Sequence, residues 1–138
     1  MMNRLLSCLK KLTIASTGMA QDVKKEISNW LDSIIKEEHV PENIIVLNIG
    51  IYEAEEGYCL YLTGHEEYDE DNDSWAEESA YESPKYCHVH VDMEWKDFLE
   101  NTVSILKEYF SITKASKGLF DGKKVTTGFD DGDLVRIV

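Results

Sequence analysis

Between Lys36 and Lys85 the chain has no Lys and no Arg. That stretch, Glu37 to Pro84, is forty-eight residues long and carries fifteen carboxylates. Its formal charge is therefore −15, while the other ninety residues sum to +2. Dense like charge repels itself and is tolerated only when solvated or met by a partner of opposite sign. The net charge of −13 excludes nucleic acid and anionic membrane surfaces as direct ligands, because both select cationic patches. It favours a basic protein, a cation, or imitation of a polyanion.

Proline is nearly absent, with two residues, and 43% of the chain is hydrophobic, which argues for folding rather than disorder. At 138 residues, the expectation is a single domain over residues 1–138. The three cysteines, Cys8, Cys59 and Cys87, are odd in number and scattered. They make no disulfide framework and predict a reducing, cytoplasmic compartment. No apolar run reaches membrane-spanning length. The opening Met1 to Cys8 has the outline of a lipoprotein signal, but its apolar stretch ends at Lys10-Lys11, too short for a signal core. Leu5, Leu6, Leu9 and Leu12 share one helical face instead. Residues 2–15 are predicted as a short amphipathic helix within an N-terminal extension of residues 1–20.

In Gln21–Glu38, Val23, Ile27, Trp30, Leu31, Ile34 and Ile35 form one apolar stripe, the pattern of an amphipathic helix. Asp22 suits the positive end of its dipole, and His39-Val40-Pro41 ends it. Ile44–Glu53 is dense in β-branched residues and predicts a buried strand. Glu55-Glu56-Gly57 turns the chain into a second strand, Tyr58–Gly64, making a hairpin. His65–Ser83 is a polar, acidic loop, of a length uncommon unless functional or disordered. Tyr86–Val91 alternates: Cys87, Val89 and Val91 face one way, Tyr86, His88 and His90 the other. Asp92 is the expected N-cap of a helix over Met93–Phe110, whose apolar stripe includes Trp95, Phe98, Thr102 and Leu106. Asp121-Gly122 and Asp131-Gly132 are turn signals, the second at the tip of a C-terminal hairpin. The element order predicts an α+β fold: an antiparallel or mixed sheet of about five strands with two main helices on one face.

Several constellations invite chemistry. Asp69, Asp71 and Asp73 have the spacing of the first ligands of a calcium loop, but Ser74 stands where that loop needs Gly and Ala80 where it needs Glu. His88 and His90 share a strand face and could meet on one metal, with His65 or a loop carboxylate completing the set. The plainer reading is two exposed strand residues, and no metal or cofactor is expected. Cys87 and His88 point to opposite faces and make no nucleophile–base pair. Asp130, Asp131 and Asp133 around Gly132 read as a tight turn rather than a metal site. No phosphate-binding loop or nucleophile elbow occurs.

The acidic loop also holds Tyr68, Trp75 and Tyr81. Such aromatics either tuck a loop onto the body or anchor a partner. With Glu66, Glu67, Asp69, Glu70, Asp71, Asp73, Glu77 and Glu78 they compose an expected partner-binding surface. Carboxylates steer in and pair with a basic partner, while rings supply contact area.

This organisation resembles the small acidic immunity proteins of bacterial contact-dependent and polymorphic toxin systems. The likeness is carried by Asp73-Ser-Trp75-Ala-Glu-Glu78, helix Met93–Phe110 and the ending Gly128-Phe-Asp-Asp-Gly-Asp-Leu-Val-Arg-Ile137, and covers most of residues 21–138. It implies a non-enzymatic inhibitor that binds a cognate toxin domain, often a nuclease with a basic cleft. Three other readings stand beside it. One is a polyanion mimic that occupies a DNA-binding protein. Another is a metal-dependent enzyme built on His88 and His90. The last is an adaptor whose acidity serves solubility alone.

Overall fold

The computed structural model describes residues 15–112, 120 and 122–138. The predicted helix over residues 2–15 lies, except for its last residue, outside the described residues, as do Cys8 and Asp121. Among these residues two α-helices and a six-stranded mixed sheet make an α+β fold.

Helix α1, Ala15–Glu37, begins earlier than the apolar stripe suggested, because extending a formed helix costs little. Asp22 therefore sits about two turns in, and the first turn holds no acidic residue. Val23, Ile27, Trp30, Leu31 and Ile34 are buried, as the periodicity requires. The Glu38 N–H still donates to the Ile34 carbonyl at 2.9 Å, and Pro41 bars further winding.

Strands β1, Val46–Ala54, and β2, Gly57–His65, form the expected hairpin, with Ala54 opposite Gly57 and Val46 opposite His65. The opposite edge of β2 is shared by two short strands, β3 (Tyr81–Glu82) and β4 (Cys87–His90), both antiparallel to it. Pro84 lies between them and has no N–H to continue the ladder. Helix α2, Trp95–Ile112, then crosses back to β5, Lys124–Phe129, which runs parallel to β1. Strand β6, Val135–Arg136, closes the predicted C-terminal hairpin around Asp131-Gly132.

Asp92 is not the N-cap of α2. The first helical bond runs from Phe98 N–H to the Glu94 carbonyl at 2.9 Å. The preceding chain is held elsewhere: Val91 N–H donates to the Glu56 carbonyl, and the Met93 carbonyl accepts the Tyr58 hydroxyl at 2.6 Å.

Pairing registers sort the sheet into two faces. Leu47, Ile49, Ile51, Tyr58, Leu60, Leu62, Cys87, Val89, Val125 and Phe129 pack with the helices in one core. Tyr58 stacks on Phe98 with centroids 4.1 Å apart, and Tyr109 of α2 donates to Asp32 of α1 at 2.6 Å. The second face carries Asn48, Gly50, Tyr52, Tyr61, Thr63, Thr126 and Gly128, each set by alternation along its strand. Among the described residues no α-helix packs on it, and the acidic segment covers part of it.

Candidate partner-binding surface

Two aromatic side chains, Tyr68 and Trp75, and one histidine fix the acidic segment to the second sheet face, while Tyr81 ties its far end to the helix-side core. His65 is the last residue of β2 rather than the first of a loop, and is 1% exposed. Its Nδ1 lies 2.7 Å from the Glu78 carbonyl and its Nε2 lies 2.8 Å from Thr63 Oγ1. A carbonyl only accepts, so Nδ1 carries the proton and Nε2 of the neutral ring accepts from the Thr63 hydroxyl. Burial holds the His65 pKa below its ordinary value, against the opposing pull of the Glu78 and Trp75 backbone.

Trp75 projects from a 3-10 turn, Asp73–Glu77, whose cap is the Asn72 side chain accepting from Ser74 N–H at 2.9 Å. The indole is 9% exposed and meets His65 edge-on, with centroids 5.0 Å apart. Its other neighbour is Tyr68, at 5.2 Å. Tyr68 is half-buried and flanked by Lys124 Nζ at 5.4 Å and Arg136 Cζ at 5.7 Å, which add cation–π attraction. Tyr81 is half-buried and donates to Glu38, as does Ser83 at 2.7 Å. Burial and that bond raise the Tyr81 phenol. Trp75 therefore spends its area inside the protein, and Tyr68 and Tyr81 spend much of theirs there. Of the two roles open to the rings, tucking is the one the structure displays.

The carboxylates do the opposite. Glu66, Glu67, Asp69, Glu70, Asp71, Asp73, Glu77 and Glu78 are all exposed. Glu70 pairs with Arg136 at 2.5 Å, the one ion pair of this segment among the described residues. Asp69 accepts from Asp71 N–H at 2.9 Å, and Asp73 Oδ2 from Leu134 N–H at 3.1 Å, which ties the segment to the C-terminal hairpin. The rest face solvent from a pinned backbone.

Between segment and sheet lies a cleft of about 400 Å3, bordered by Asn48, Tyr61, Asp73, Glu77 and Asp130. Two glycines let its walls, the Tyr61 ring and the 133–134 backbone, lie close on the sheet. A side chain at Gly50 would run into the Tyr61 ring, and one at Gly128 would come within 2.7 Å of the Asp133 carbonyl oxygen. The Tyr61 hydroxyl donates to Asp130, and burial together with that bond raises its pKa.

His88 and His90 are exposed on the second face as expected, with ring centroids 4.1 Å apart. His88 Nε2 donates to the Glu55 carbonyl at 3.0 Å. His65 cannot join them: it lies eight positions along β2 from Gly57, the partner of His90, roughly 26 Å in an extended strand. Among the described residues no group of three or more His, Cys, Asp or Glu is placed to hold a metal ion. Cys87 points into the helical core, where burial pushes its thiol up to about 12, and faces away from His88 as alternation demands. No helix among the described residues is long and apolar enough to cross a membrane.

Three exposed rings lie outside the expected surface. Tyr86 is 58% exposed, Tyr52 38% and Trp95 49%. The signal for Tyr52 was present in the hairpin register, which sends it to the face opposite Ile51. Trp95 belongs to the apolar stripe of α2 by its spacing, but it occupies the first turn, where the helix has passed the edge of its core. Comparison with protein-family models, with curated proteins and with solved structures finds no match.

Proposed function

We propose that this protein is an immunity-type inhibitor that neutralises a basic toxin domain by binding it through its acidic surface. The observation that carries this reading is the combination at residues 66–78. Eight carboxylates are exposed there, with one ion pair among them, on a segment whose own aromatics hold it in place. A segment that served solubility alone would not need a buried tryptophan beneath it. A pre-ordered anionic surface lowers the ordering cost of association and steers a cationic partner in, which suits rapid capture of a lethal enzyme. The basic substrate cleft of a nuclease has the matching charge. The reading asks for no chemistry from the protein itself and no cofactor. The free, buried thiols of Cys59 and Cys87 suit a reducing cytoplasm.

The test is co-expression with genomic neighbours followed by co-purification in moderate salt. The expected result is a stoichiometric basic protein, toxic alone and harmless beside this chain. Recovery of a host DNA-binding protein instead would replace the reading with polyanion mimicry. Recovery of the protein alone, with neighbours that are harmless, would sink it.

A further inference from the structure

The exposed rings Tyr52 and Trp95 stand beside a second cleft, of about 620 Å3, on the far side of the Asp130–Gly132 turn from the first. Its apolar floor includes Phe129, against which the Trp95 ring stands edge-on at 5.9 Å. Its rim carries the exposed carboxylates Glu53, Asp130 and Asp131, and no Lys or Arg lines it. No hydrogen bond or ion pair among the described residues engages the Glu53 or Asp131 carboxylate, and Asp130 commits only Oδ1, to Tyr61.

We infer that this cleft receives an arginine side chain of the basic partner, an assignment that rests on the inhibitor reading and gives it a contact point. The pairing of surfaces is what selects the occupant. Open aromatic faces beside unpaired carboxylates fit a group that is planar, cationic and rich in N–H donors. Guanidinium stacks on a ring and donates in parallel to carboxylate oxygens, whereas an ammonium is more strongly hydrated and forms no planar fork. Lys96 Nζ already lies 5.6 Å from the Trp95 ring centroid, so one cation is drawn to that indole from its own helix. An incoming guanidinium displaces Lys96 or takes the other face. The 130–132 turn borders both clefts, so a partner anchored at Trp95 also comes against the acidic segment. Tryptophan and tyrosine at such sites commonly dominate binding.

The experiment is a two-dimensional amide NMR titration of the full chain with acetyl-Gly-Arg-Gly-amide, beside the same peptide carrying uncharged citrulline. The expected result is saturable shifts of the Trp95 indole and the Asp130–Gly132 amides with the arginine peptide only. Trp95→Ala and, at an exposed position, Glu53→Gln each weaken binding about fivefold. Equal response to citrulline, no saturable shift, or shifts confined to residues 66–78 and indifferent to both substitutions overturn the assignment. The titration requires no toxin. An arginine response without any neutralised toxin removes the inhibitor reading and leaves the cleft's chemistry in place. A toxin neutralised equally by wild type and both variants removes the cleft and leaves the reading.

Discussion

Trp75→Ala separates the acidic segment from the body of the fold. The indole is 91% buried, edge-on to His65 and beside Tyr68, and contributes nothing to the helix-side core. Core Trp→Ala changes cost about 3–5 kcal/mol. Trp75 belongs at the low end, because its Nε1 finds no acceptor among the described residues and an unpaired buried donor offsets part of the gain. At about 3 kcal/mol the local opening equilibrium rises roughly a hundredfold. The natural assay is native-state amide hydrogen exchange. The reporters are Ala80 N–H, bonded to the Gly64 carbonyl at 2.9 Å, and Leu134 N–H, bonded to Asp73. Both should lose roughly two decades of protection in the variant by that arithmetic. Ser83 N–H, bonded to the Leu62 carbonyl, and the β1 amides should change far less. Uniform loss across β1 and the segment alike would refute the reasoning, because it would make Trp75 part of the global core. Unchanged exchange at Ala80 would refute it too, by showing that the indole does not hold the segment.

Other expectations follow from the same geometry. Reversing Glu66, Glu67 and Asp71 to Lys, positions that anchor no ion pair among the described residues, slows association with a basic partner about tenfold or more at low salt and flattens its salt dependence; stopped-flow rates unchanged by the reversal would remove the segment from the interface. The His65 pKa is lowered in the fold, so its stabilising share is complete above its unfolded value near 6.5 and is lost as pH falls through the lower folded value. The protection of Ala80, its exchange rate divided into the intrinsic rate at each pH, should therefore fall as pH drops below about 6.5, and pH-independent protection there would contradict the neutral, buried ring. Gly50→Ala drives a methyl into the Tyr61 ring and costs about 1–3 kcal/mol as an overpacking change, read as a lowered Tm; a variant as stable as wild type would show that Tyr61 does not lie across β1.

The helix-side half of the fold was legible because each element announces it locally. Val23, Ile27, Leu31 and Ile34 repeat with helical period, and Cys87, Val89 and Val91 alternate against His88 and His90. The second face was not, because the segment that covers it holds no periodic element longer than the 3-10 turn Asp73–Glu77. Nothing in the period of β2 distinguishes His65 as a buried post from a loop residue. Whether Trp75 faces in or out depends on a cross-sheet neighbour ten positions away in sequence. Gly50 and Gly128 look like ordinary strand glycines until register sets them side by side under Tyr61 and the 133–134 backbone. Asp130 reads as a turn residue, and only the long-range bond from Tyr61 shows it standing between two clefts. The charge of the segment was visible at once. Its rigidity was a tertiary property.

Both margins of the sheet are short. One margin is divided into two strands, Tyr81–Glu82 and Cys87–His90, with Pro84 in the gap, and the other is the two-residue strand Val135–Arg136. Short edges interrupted by proline or carrying charge give an incoming strand little backbone to pair with. Recognition by strand addition, a common way for a protein to be captured through its backbone, is therefore poorly served here. Any partner of these strands would have to read side chains rather than backbone, where sequence can discriminate one partner from its near relatives, and the described edges give two copies of the chain little means of zipping together.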